Sequence, residues 1–238
     1  MKRRSFFVQL VIGVLIVAAV YFFFIRTQGR APEREEQRGR RESQREGRKP
    51  EARGGEGGSG AAGQVVCETQ YFADWTEPAM RGCTVRTRNG YPVPDGRCTP
   101  GGVNPSVNLN VMRDATWRTR TVRNCASSEA QKHVAYGWYA IQKPRVNSNE
   151  NQVCELDHLV PLELGGADGL GNIWPQCGPD EVTLKQRYFK QKDHVENYLA
   201  EEVKAGRMPL AEAQRGIAKD WTQYLNDADL WCGRTGRC

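Results

Sequence analysis

The sequence predicts an α+β domain, stabilised by disulfides and carried behind an N-terminal transmembrane helix. Three observations predict it. Ser5 to Ile25 is an apolar run without a charge, long enough to cross a bilayer core as a helix. All eight cysteines (67, 83, 98, 125, 154, 177, 232 and 238) lie beyond residue 64. The same region carries turn-rich, strand-like segments first and long segments of helical period later.

The N-terminal run follows Lys2, Arg3 and Arg4 and ends in Tyr21-Phe22-Phe23-Phe24. A cleaved signal peptide needs a shorter apolar stretch and small residues before the cut, so an uncleaved anchor is expected over residues 5–25, after a basic N-terminus at 1–4. Residues 26–64 are charged on both signs and then glycine-rich, with almost nothing to bury. They read as a disordered tether with an end-to-end reach of about 35 Å. The globular domain is expected over 65–238, a sufficient length for one core.

The formal charge of +6 belongs to the tail. Residues 1–64 hold 13 Lys/Arg and 7 Asp/Glu, which leaves 21 of each for the domain. A strongly basic nucleic-acid-binding field is thereby excluded, and nucleic acid would have to meet local patches. The best patch is RDATWRTRTVR, residues 113–123, although an ordinary solvated strand or loop has the same composition. The cysteines show no CxxC pair, so four disulfides in an oxidising compartment are expected rather than zinc. Seven arginines soon after the anchor argue for the opposite orientation. The cysteines outweigh them, because eight thiols with no metal pattern do not suit a reducing cell. The domain is therefore expected outside the cytoplasm.

Within the domain, residues 65–112 read as turns and short strands, with a hairpin turn at Arg88-Asn89-Gly90-Tyr91. Residues 115–124 read as a strand, and 127–142 as a helix capped by Ser127 or Ser128. His133 on that helix has no ligand partner at metal spacing and reads as structural or exposed. A long helix is expected over 181–205, with Leu184, Tyr188, Gln191, Val195 and Leu199 on its apolar stripe and Gly206 ending it. Pro209 opens another helix with Leu210, Ala213, Ile217, Trp221 and Tyr224 on one face. The last two cysteines are expected to staple the tail to the body.

The chemistry is concentrated in CELDHLVPLELGGADGLGNIWPQC, residues 154–177. Asp157 is a hard oxygen ligand suited to Mg²⁺, Mn²⁺ or Zn²⁺. His158 accepts a proton near neutral pH. In a strand the two point to opposite faces, so they can address one phosphate from two sides. The Asn172 amide is able to fix the glycine-rich loop by hydrogen bonds.

ELDHLVPLELGG followed by GNIWPQ resembles the HNH (ββα-metal, His-Me finger) endonucleases. The chain is most similar to an exported bacterial HNH-like group that adds a KDxxEN helix, here Lys192 to Asn197, and an A-x-x-x-I-A-x-D-W helix, here Ala213 to Trp221. CTPGGVNPSV at 98–107 is similar too, so the resemblance spans about residues 98 to 225, with a motif core over 154–205. It implies two antiparallel strands, a loop and a following helix, with a divalent metal ion (Mg²⁺, Mn²⁺ or Zn²⁺) between hairpin and helix. Asp157 would ligate the metal, His158 would deprotonate the attacking water, and Asn172 would orient the hairpin and His158. A Cys154–Cys177 disulfide would pin the open end of the hairpin. Such enzymes take a second ligand, His or Asn, from the helix. Here His194 is the candidate, although it lies about 100° from a stripe centred on Val195, with Gln191 and Tyr188 facing inward.

The implied function is a metal-dependent nuclease acting on DNA or RNA, held on a bacterial inner membrane by one span with its C-terminal domain outside. A non-catalytic module binding nucleic acid or protein on the same scaffold is the alternative, since fold does not guarantee activity. A hydrolase of another envelope substrate is the third class. Cleavage assays against phosphodiester and other substrates separate the three.

Overall fold

Residues 65–238 are described by a computed structural model. The expected basic N-terminus, anchor and tether lie outside the described residues. Among the described residues no helix is long and apolar enough to cross a membrane.

The domain is mixed α+β, with three two-stranded antiparallel sheets and a helical C-terminal half. In the first half the strands are short: β1 (Gln70–Tyr71), β2 (Arg86–Arg88), β3 (Tyr91–Val93) and β4 (Gly102–Val103). Strand β1 pairs with β4, and β2 with β3. The β2–β3 hairpin turns at Asn89 (φ 51°) and Gly90 (φ 84°). Both are left-handed, as a tight two-residue hairpin needs.

Three short helices follow: α1 (Leu109–Arg113), α2 (Glu129–Lys132) and α3 (Val134–Trp138). Residues 115–124 do not form the expected strand; they hold turns and a 3₁₀ turn at Thr119–Thr121. Asp114 explains this locally. Its carboxylate accepts from the Thr116 backbone N–H and hydroxyl, both at 2.7 Å. Such local bonds favour a turn over a ladder. Ser128 caps α2 with a reciprocal Gln131 contact, as its sequence suggests. The expected helix over 127–142 is broken at His133, and Ala140 beyond α3 adopts φ 54°. His133 is exposed, with Nδ1 3.0 Å from the Lys143 ammonium.

The central hairpin joins β5 (Cys154–His158) to β6 (Ile173–Cys177), in register from Cys154 opposite Cys177 to His158 opposite Ile173. Its loop is wound by two 3₁₀ turns, Leu162–Leu164 and Leu170–Asn172. Gly165 ends the first at φ 68°, and a Cβ on Gly166 would collide with the Val160 carbonyl. The Gly-Gly step is therefore steric. Helix α4 (Tyr188–Lys204) comes next and contacts both strands. It begins later than expected, because Arg187 is extended after a capped turn at Thr183–Gln186. It ends at Lys204, with Gly206 left-handed.

Helices α5 (Leu210–Asp220) and α6 (Leu225–Thr235) close the fold. Val195, Leu199 and Val203 of α4 share one core with Leu162 and Leu164 of the loop and Ile217 of α5. Trp138, Tyr139, Leu159 and Trp174 form a second core beside Cys83 and Cys98. The loop of the hairpin is thus apolar cargo for both cores, and that burial fixes the strand end at His158.

Four disulfides are present: Cys67–Cys125, Cys83–Cys98, Cys154–Cys177 and Cys232–Cys238. The hairpin pair forms as expected, with Cα atoms 4.0 Å apart. The last two cysteines do not staple the tail to the body. They pair with each other instead, because the last turn of α6 and the chain end bring them together.

Candidate active site

Alternation along β5 sends Asp157 and His158 to different partners. On one side Asp157 meets α4, where its Oδ2 lies 2.9 Å from Lys192 Nζ. Lys192 is fully buried; its ammonium also donates to the His158 carbonyl at 2.8 Å and to Glu196 Oε1 at 2.5 Å. One cation is therefore shared by two strand oxygens and one helix carboxylate. Burial raises the pKa of Asp157, and the Lys192 charge opposes it. Burial likewise raises Glu196 well above the ordinary carboxyl range, again against Lys192. Burial alone would depress Lys192, but its two carboxylate partners raise it instead.

On the other side His158 Nε2 lies 3.0 Å from Asp168 Oδ1. Asp168 sits in the hairpin loop, where Ser127 Oγ donates to its backbone carbonyl at 2.7 Å. Its carboxylate also pairs with Lys132 Nζ at 2.8 Å. Burial lowers the pKa of His158; the Asp168 hydrogen bond opposes this, while the charges of Lys132 and Arg123 lower it further. Burial pushes Asp168 up, but hydrogen bonds from His158 and Lys132 outweigh it and hold the carboxyl below its usual range. The arrangement favours a neutral imidazole that donates Nε2–H to Asp168, leaving the Nδ1 lone pair as the basic position.

Asn172 is wholly buried, and its amide is consumed by backbone. Nδ2 donates to the carbonyls of Val160 (2.9 Å) and Ala167 (2.8 Å), while Oδ1 accepts from the N–H of Val160 (2.9 Å) and Gly102 (3.2 Å). None of these bonds reaches the His158 side chain. They brace the loop that carries Asp168.

The structure does not bring His194 to Asp157. Two residues of helix separate His194 from both Lys192 and Glu196, about 200° around the axis. His194 Nδ1 faces Asp229 Oδ1 of α6 at 3.1 Å. Its ring nitrogen and the sulfurs of Cys232 and Cys238 lie within 4.8 Å of one another. Those sulfurs are bonded to each other, and a metal takes thiolates, not a disulfide.

Sequence reasoning therefore missed Asp168, Lys132, Lys192 and Glu196. For two of them a signal exists: Lys192 and Glu196 are four apart on a helix and meet as such pairs do. The inward stripe of α4 runs through Phe189, Lys192, Val195 and Leu199, and Gln191 and Tyr188 are only partly buried. The buried lysine disguises that stripe.

Glu155 adds a pH-sensitive carboxyl beside Asp157. Burial, with the charges of Asp157 and Asp193, raises its pKa to about 7. Between the ordinary carboxyl value and about 7, the folded state holds this proton more tightly than the unfolded state. Stability from Glu155 is thus lost as pH rises through that window. Glu155→Gln is expected to flatten this fall in thermal melts taken across the same window. The side chain is 36% exposed, so screening makes the effect smaller than the full shift implies. An unchanged pH profile would refute the assignment.

Comparison of the chain with protein-family models, with curated proteins and with solved structures finds no match.

Proposed function

We propose that residues 65–238 form an HNH-like endonuclease domain that hydrolyses phosphodiester bonds of DNA or RNA. In this reading the N-terminal segment holds the domain at a bacterial inner membrane, with the disulfide-bonded domain outside the cytoplasm. The observation that carries the reading is the pairing of a buried His158 with Asp168 at the end of the central hairpin. An imidazole kept neutral and oriented by a carboxylate is the arrangement a general base needs. His158 would take the proton of the attacking water at Nδ1, and Asp168 would stabilise the imidazolium that forms.

Exposed positive charge along residues 113–123 supports the same reading. The exposed arginines of 113–123 reach from Arg123, whose charge is felt by His158, to a groove of about 500 Å³. Arg113, Trp117, Arg118, Glu163 and Lys204 line that groove. Guanidinium groups for phosphates and an indole for stacking suit a nucleic-acid path.

The resemblance also implies a divalent ion at Asp157, and the donor set tests it. Asp157 and Glu196 are hard oxygen donors that converge on one point, but the Lys192 ammonium holds that point. Among the described residues no third His, Cys, Asp or Glu ligand atom joins those two within 4.8 Å. As arranged, these residues do not fit a divalent ion, and no step here passes through one.

The oxidised full-length chain in detergent should nick supercoiled plasmid or degrade single-stranded DNA or RNA. Folded, fully oxidised protein that leaves all three intact would overturn the nuclease reading and favour a binding module.

A further inference from the structure

We propose that Lys192 is the built-in cation of this site: its ammonium, clamped between hairpin and helix, takes the place of a divalent ion, so that none binds at Asp157. The catalytic consequence rests on the nuclease reading above, whereas the binding consequence does not. Nζ is met by oxygens from both sides of the hairpin–helix junction, namely Asp157 and the His158 carbonyl on β5 and Glu196 on α4. The ammonium donates to the His158 carbonyl and to Glu196 and stands in ion-pair contact with Asp157. Asp157 Oδ2 is sealed from water and makes no hydrogen bond among the described residues; the Lys192 ammonium, 2.9 Å away, is the charge that faces it.

A divalent ion on the same oxygen faces a geometric conflict. Bound at about 2.1 Å, as for magnesium, it would lie at most about 5 Å from Nζ and compete for the same lone pairs. Lys192 is part of a 17-residue helix and wholly buried, so its ammonium cannot swing into solvent without moving α4. The local charge is otherwise acidic, with Glu163 and Asp193 near enough to Asp157 to act on it. Removing the ammonium would leave a buried carboxylate and a largely shielded one in an acidic surround, which is a cation site. The lysine therefore decides whether metal binds, while the carboxylates are present either way.

Manganese is the probe, read by the loss of the free-ion electron paramagnetic resonance signal on the oxidised full-length chain. Wild type and Asp157→Asn are expected to give the same weak background. Lys192→Met should gain one site per chain, at least about tenfold tighter than background, and Lys192→Met/Asp157→Asn should lose it. Wild type that binds one Mn²⁺, lost in Asp157→Asn, would overturn the proposal. That comparison needs no Lys192 variant, so a misfolded Lys192→Met does not shield the idea. Lys192→Arg, which keeps the charge, should bind no more Mn²⁺ than wild type. Cleavage is expected to persist in EDTA. Cleavage abolished by EDTA and restored by Mn²⁺ would overturn the proposal while leaving the nuclease reading intact. Absence of cleavage in every condition would defeat the nuclease reading alone, and the Mn²⁺ titration would still decide on Lys192.

Discussion

His158→Ala is expected to lower phosphodiester cleavage by about 10²–10⁴-fold, the usual worth of a positioned general base. The loss is chemical rather than structural, because the partner groups retain each other. Asp168 keeps its 2.8 Å pair with Lys132, and Ser127 still holds the Asp168 backbone. Initial rates on supercoiled plasmid, taken beside a melting curve, check both halves of the statement. A variant that melts like wild type and cleaves at the wild-type rate would remove His158 from the mechanism. The pH dependence gives a second readout. Burial holds the His158 pKa below its ordinary value of 6.5, so the imidazole is the free base at neutral pH. The rate should fall only as pH drops through that lowered value, and the acid limb should vanish in the variant.

Asn172→Ala is expected to cost about 3–5 kcal/mol of stability, because it strips partners from several buried backbone groups at once. The Asn172 amide satisfies the N–H and carbonyl of Val160 and the carbonyl of Ala167 in the loop, and the N–H of Gly102 on β4, all from a side chain with no exposure. Each buried group left unpaired costs about 1–3 kcal/mol, and the terms share one site and do not simply add. For a domain of this size the melting temperature should drop by about 6–20 °C. Activity should fall with it, since the same loop carries Asp168. A melting temperature within about 2 °C of wild type would show that the loop is braced by something else.

These two effects differ in how far the chain itself announces them. Asp157, His158 and Asn172 stand in a string whose order and spacing are visible, and its resemblance to HNH endonucleases is what implies the strand–loop–strand–helix order around them. The resemblance implies the Cys154–Cys177 pair too, since antiparallel strands would bring the ends of such a hairpin together. The role of Asn172 does not follow: a side-chain amide is free to face His158 or the backbone, and only the fold of the loop turns all four of its bonds to backbone. Asp168 is hidden for a similar reason. In GGADGLGN it reads as a turn residue, and its value lies in Lys132 and Ser127, far earlier in the chain. His194 is the reverse case. As a histidine it draws attention, yet helix rotation carries it to Asp229 on α6.

Local chemistry thus determined the uncharged N-terminal run, the cysteine-rich domain beyond it, the Asn89-Gly90 turn, the capped and apolar-striped helices, and the Asp157–His158 step. Each of those depends on neighbours within a short stretch of chain, where period and turn preference act. The partners of the two key side chains were decided by tertiary structure alone. Lys192 is a surface residue by composition, but packing α4 against β5 closes it off from water and sets it against Asp157, Glu196 and the His158 carbonyl. Burial removed the solvent that would have satisfied these charges separately, and the three-dimensional arrangement settled which of them satisfy one another.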